Sequence, residues 1–588
     1  SASNGGGVNI GSTATVTISN STISGNSATR GGGIYTFGSG SLSINNSTVS
    51  GNSASFRGGG IYNRLGSLSI NDSTISGNSA TQGGGILNYG SLSISGSTLS
   101  GNSATQGGGI NSSGISLSIS NSSISGNSAS YGGGIINYGS VSISSSTLSG
   151  NTAANNGGGI WNSGSVSISS STLSGNSAAN NGGGIYNYSG SVGISSSTLS
   201  GNSALSAGGG ILNDLGSISL SDSTLSGNSA GIGGGILNYL GSLNISNSTL
   251  SDNSVANSGG GIWNNGSVSL SGSTLSGNSA TSGGGMLNRG SVSISSSTLS
   301  GNTASYGGGI ANFTGSVSIS GSTISGNSAS YGGGLINYQG SVSMSSSTLS
   351  SNLAISGGGI LNVGSLSLSS STISDNSAAS SGGGILNVGT LSLSSSSLSG
   401  NSAANSGGGI WNSGSVSMSS STISGNSALS GGGMLNTGSV AISGSTISGN
   451  SAGINGGGGI WNSGSLSVSS SSVSGNSAFN GGGILNSGSV SITSSTLSGN
   501  SAANLGGGIW NSGSVDLTSS SLSGNIAQTN GGGIYNRGSL TLSFSTITLN
   551  TASIRGGGIF NFTGFTAVLN SSTVSGNTAG VQGNNIFP

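Results

Sequence analysis

A Gly-Gly-Gly-aliphatic block recurs 23 times between Gly5 and Gly556, with successive starts 24 to 27 residues apart in a chain of 588. Each block opens a unit that reads roughly GGGI-x-N-x-GS-x-S-[IL]-S-x-ST-[IL]-SGN-[ST]-A, plain from Gly83 to Ala104, and a worn copy follows at Gly583. A period of this length belongs to solenoids, propellers and arrays. It overrides composition, because 122 Gly and still more Ser would otherwise describe a flexible low-complexity chain. Here the apolar residues hold fixed slots.

The slots within one unit give the coil. Leu92 and Ile94 alternate with Ser91, Ser93 and Ser95, the period-two pattern of a half-buried strand. Leu99 lies at an odd step from Ile94, so a straight strand cannot keep both inside, and a corner is expected near Ser95 to Ser97. Gly101-Asn102 supplies a second corner before Ala104, and Gly107 to Gly109 a third before Ile110. The pattern predicts an all-β fold: a single parallel β-helix (β-solenoid) of about 23 coils of about 25 residues, three short strands per coil, one domain over 1–588. At the usual inter-strand spacing that is a rod roughly 110 Å long.

In such a coil every residue stacks on its equivalent one turn away. Ile34, Ile61, Ile86, Ile135 and Ile160 are expected to form an inward column, with Met286, Leu335 and Met434 as substitutions. Asn63, Asn88, Asn137 and Asn162 should form one amide ladder, and Asn26, Asn52, Asn78 and Asn102 another. Stacked amides both donate and accept, which suits corner backbone groups that burial would leave unpaired.

Charge is nearly absent, with six Arg, six Asp and no Lys, Glu, His or Cys. Without a basic stripe no nucleic-acid partner is expected, and no apolar run approaches the roughly 20 residues of a membrane-spanning helix. The acidic residues Asp72, Asp214, Asp222, Asp252, Asp375 and Asp516 are scattered, with no general base beside them and no His to activate a Ser. No catalytic residue, metal ligand or cofactor is assigned. Asn20-Ser21-Thr22, Asn46-Ser47-Thr48 and Asn312-Phe313-Thr314 fit the N-glycosylation acceptor pattern.

The units resemble the right-handed β-helix repeats of bacterial surface proteins, especially the polymorphic outer-membrane proteins of chlamydiae and related autotransporter passengers. Those repeats carry GGA[ILV] and FxxN, for which Gly83 to Ile86 and Leu99 to Asn102 stand here. Ala is replaced by Gly, and Phe by Leu, Ile or Val. The resemblance implies right-handed coiling and an extracellular or cell-surface rod used for adhesion or scaffolding.

Two columns carry the functional expectations. The slot after the block's aliphatic should point outward if that aliphatic points inward, yet it holds Tyr35, Tyr62, Trp161, Tyr186, Trp263, Trp411, Trp461, Trp510, Tyr535 and Phe560. An apolar stripe on a Ser-covered rod marks a partner surface, so the expectation is lateral packing against other copies, or a surface receptor or glycan. The alternative is a bulge that turns the slot inward and makes both residues core. The second column, Thr22-Ile23-Ser24 and its equivalents, presents hydroxyls in a regular array similar to the Thr-x-Thr faces of ice-binding β-solenoids. The chain holds close to a whole number of coils and shows no charged or helical cap, which suggests head-to-tail stacking into a filament. The expected function is a non-catalytic, self-assembling rod, adhesin or scaffold. An ice-binding protein, and after it a polysaccharide-active enzyme, are the alternatives.

Overall fold

The computed structural model describes residues 2–11 and 13–588. The chain is an all-β parallel solenoid whose long sheets count 23 or 24 strands, one per coil, with repeats about 25 residues apart. It divides into two compact units, Ser1–Ser293 and Ile294–Pro588, and the same coil is built in both.

One coil of the first unit shows the plan. A glycine strand, Ile86–Asn88, is followed by a central strand, Ser91–Ser95, and a threonine strand, Thr98–Ser100. A closing strand, Ser103–Gln106, leads into the next glycine triplet. Each strand pairs in parallel with its equivalent one coil on, like on like: Ile86 with Ile110, Leu92 with Leu117, Ile94 with Ile119 and Leu99 with Ile124. The first three strands recur from coil to coil, and the last coil has the glycine strand alone, Ile586–Phe587. The closing strand forms an eleven-stranded sheet in the first unit and a ten-stranded one in the second, beginning there at Leu353–Ser356. Isolated bridges such as Tyr306 with Tyr331 precede it.

Ile86, Leu92, Ile94 and Leu99 are fully or almost fully buried in the lumen, while Ser91, Ser93 and Ser95 are half-buried or exposed. The odd step between Ile94 and Leu99 is absorbed at a corner residue in the left-handed region. That residue is Gly96 (φ 57°) here, Asn46 (φ 48°), Asp72 (φ 47°) or Ser145 (φ 47°) in other coils. Asn, Asp and Gly tolerate this conformation best, which accounts for Asp72 and Asp222 at this corner and Asp252 and Asp375 at the next.

The triplet is constrained by space as well as by φ. Gly83 is left-handed (φ 63°), and a Cβ on it would strike Ile86 O. A Cβ on Gly84 would lie 2.5 Å from both Gly108 O and Ser103 O, and one on Gly85 2.6 Å from Gly109 O. The chain passes the next coil backbone to backbone there, and only hydrogen fits.

Candidate functional site

Two amide ladders run up the inside of the coils. At the second corner, the backbone N–H and Nδ2 of Asn78 both donate to Asn102 Oδ1 at 3.0 Å, and Nδ2 also donates to Val49 O at 3.0 Å. Asn102 repeats this toward Asn127, and Asn26 and Asn52 do so in the first coils. At the end of the glycine strand, Asn63 Nδ2 donates to Asn88 Oδ1 at 2.8 Å, and Asn137 to Asn162 at 2.8 Å. Between these pairs the slot holds Ser112, whose buried hydroxyl has no partner.

A third ladder was not singled out from the sequence. Between the terminal coils the serine before the threonine strand is buried, and its hydroxyl accepts from the previous coil's backbone N–H, as when Ser73 N–H donates to Ser97 Oγ at 3.0 Å. Ser97 Oγ in turn donates to Ser95 O at 2.8 Å. The signal was present: this slot is Ser in coil after coil, whereas the residue before it varies.

The aromatic column departs from expectation. Tyr35, Tyr62, Tyr186, Trp263, Tyr535 and Phe560 are buried, and Trp161, Trp411, Trp461 and Trp510 are half-buried. The strand does not bulge: Ile61, Tyr62 and Asn63 pair in register with Ile86, Leu87 and Asn88, and all three slots are buried. Alternation places the column outside the lumen, but the coil covers its own outer face there. One wall is the row ending each closing strand, such as Arg57 and Tyr131. The other is the residue after the inner asparagine, such as Tyr89 and Tyr138. Tyr35, Tyr62 and Leu87 thus form a second apolar cluster with Tyr89 against it, and in the second unit Ala311, Ile336 and Leu361 do so with Tyr306, Phe313 and Tyr338.

Size is shared between column and wall. Every Trp in the column is followed two residues later by Ser or Asn, at Ser163, Asn265, Ser413, Ser463 and Ser512. Some smaller column residues carry rings there instead, as Leu87 with Tyr89, Ile136 with Tyr138 and Ala311 with Phe313. Four of the six arginines lie over rings in this region: Arg57 over Phe56 (4.7 Å), Arg289 over Trp263 (5.9 Å), Arg537 over Phe562 (4.8 Å) and Arg555 over Phe587 (5.1 Å). Their charge is engaged with π faces.

Of the aspartates, Asp214 touches this region, where Tyr186 OH donates to Asp214 Oδ2 at 3.4 Å. Burial, then the negative charge of Asp214 and the hydrogen bond to it, push the Tyr186 hydroxyl from 10.0 up to about 12. Because the folded value is the higher one, the associated stability is complete below pH 10 and is lost as pH rises toward about 12. In a spectrophotometric titration one tyrosinate should appear last, and Asp214→Asn should move that phase to lower pH. An unchanged final phase would detach Asp214 from Tyr186. Among the described residues no three His, Cys, Asp or Glu side chains gather as a metal site, and no helix is long and apolar enough to cross a membrane.

In the final coil Asn584 and Asn585 stand where other coils have the second and third glycines. Asn585 Oδ1 accepts from Asn577 N–H at 3.2 Å and Asn577 Nδ2 at 3.3 Å, and Asn584 Oδ1 accepts from Ala579 N–H at 2.9 Å. The bonds that Asn550 sends to the following coil are here made within the coil.

Residues 145–163, 170–188 and 519–537 match the Chlamydia polymorphic membrane protein (Chlamydia_PMP) repeat. The chain resembles this repeat family. Each match runs from a left-handed corner (Ser145, Ser170 or Ser519) through the glycine triplet to the residue after the inner asparagine. The matched unit therefore contains both the inner ladder and the outer column. No curated protein matches. Among solved structures, a PL6 family alginate lyase, AlyGC, is similar at 10% identity over 99% of this chain and 97% of its own, with a TM-score of 0.19, too low to argue from.

Proposed function

We propose that this chain is a non-catalytic scaffold of a bacterial cell surface, acting as an adhesin or spacer. The observation that carries the reading is the run of corner side-chain ladders within each unit. Corner asparagines and serines bond each coil to the next through buried amides and hydroxyls, so the conserved chemistry of the repeat is spent on holding coils together. The match to the chlamydial membrane-protein repeat supports a surface setting. Filament formation by head-to-tail stacking is not needed for this role, and six of the ten aromatic column positions expected to pack laterally on other copies are buried within the coil.

The reading predicts that antibodies against the folded chain label intact, unpermeabilised source cells, and that deleting the gene lowers attachment without removing a hydrolytic activity. Labelling only after permeabilisation would sink the surface assignment.

A further inference from the structure

The aromatic column is covered along much of its length but opens at Trp161. Ser163 stands where the coils on either side carry Tyr138 and Tyr188, so the wall is missing above the indole. Tyr138 lies 5.2 Å from the Trp161 ring, centre to centre. Tyr188 lies 6.3 Å away and nearly parallel, at 17°. Gln106 and Tyr131 close the opposite side, and Gln106, Tyr131, Ile136, Tyr138 and Trp161 line a cavity of about 180 Å³. Tyr131, Tyr138 and Tyr188 are all exposed.

We infer that this slot binds an uncharged, extended polysaccharide, with pyranose rings lying on the Trp161 and tyrosine faces. Aromatic faces, negative at their centres, attract the weakly positive C–H groups of a sugar ring. Amides and phenolic hydroxyls at the rim meet its hydroxyls. No Arg or Asp lines the cavity, so a carboxylated or sulfated chain finds no counter-charge and an uncharged one meets no penalty. The spacing agrees: Tyr138 and Tyr188 are two coils apart, about 10 Å at the inter-strand distance, which is the span of two rings in a β-1,4-linked chain. The inference deepens the adhesin reading by naming the chemistry it would hold, and it rests on that reading.

The test is calorimetric titration of the full chain with cellohexaose and chitohexaose, with hexamannuronate as the acidic arm. At least one neutral oligomer should bind and perturb tryptophan fluorescence. The Tyr138→Ser/Tyr188→Ser variant, altered only at exposed rings, should bind at least tenfold more weakly with an unchanged melting profile. Ser163→Tyr, which fills the gap and removes nothing, should also abolish binding. The proposal is overturned if neither neutral oligomer binds, if hexamannuronate binds better, or if all variants bind like the wild type. Cell-surface labelling is independent of these outcomes, so failure here and failure of the surface reading are distinguishable.

Discussion

Gly209→Ala is expected to open the first unit locally at a cost of about 3 kcal/mol or more, as for a strongly overpacked core. Gly227→Ala, in the same coil, should cost only about 1–2 kcal/mol, the penalty of a left-handed residue. The first position has no positive φ, so its whole effect is steric. A Cβ there would meet Gly234 O and Ser229 O at 2.5 Å and Ser229 N at 2.6 Å, backbone atoms of the closing strand and the following glycine triplet that cannot step aside. At Gly227 the reverse holds: φ is 61°, the nearest atom is Gly201 N at 4.0 Å, and the site is exposed. The natural repeats agree, since the Gly227 corner is filled by Asp252, Ser351, Asp375 and Leu549 in other coils. The central glycine is kept in all 23 triplets. Hydrogen exchange should show the difference as early opening of the Gly209 and Gly234 coils in one variant and near-normal protection in the other. Equal effects would mean that the triplet is kept for backbone freedom alone.

Much of the coil was legible because it depends on local rules. The parity of Leu92, Ile94 and Leu99 places a corner between them, and the structure puts left-handed Gly96 there. Like-on-like stacking follows from the period and is met strand by strand. What could not be read was contact between segments of one coil. Alternation puts Leu87 or Trp161 on the outer face of its strand, but it does not say that the closing strand and the post-asparagine residue fold over that face. A clue lay in the pairing of Trp with a small residue two positions on, visible only when two columns are compared. The buried serine ladder was masked for another reason. Ser73 and Ser97 sit in a chain so rich in Ser that an inner hydroxyl looks like an outer one.

The Asn ladder should respond to pH once a carboxylate is placed in it. Asn202 is fully buried, and its Oδ1 accepts from Asn176 N–H and Asn176 Nδ2, both at 3.0 Å. Its Nδ2 donates to Leu173 O and Asn228 Oδ1, also at 3.0 Å. Asn202→Ala leaves two buried donors of Asn176 without acceptors and should cost on the order of 4 kcal/mol, at about 1–3 for each. Asn202→Asp keeps those two donors satisfied, but its second oxygen faces two acceptors. When ionised it is a buried charge set against carbonyl oxygens; when protonated it can donate to one of them. Burial and the facing acceptors therefore raise its folded pKa above the unfolded value of about 3.9. With the folded state the tighter proton binder, the variant is most stable below pH about 4 and loses stability as pH rises through the folded value. The wild type has only six carboxylate side chains and supplies a nearly flat reference. The gap between the two urea midpoints should be small at pH 4 and widen to its full extent by pH 7. A gap that does not change with pH would show that the ladder amide is not donating, and with it would go the account of what binds one coil to the next.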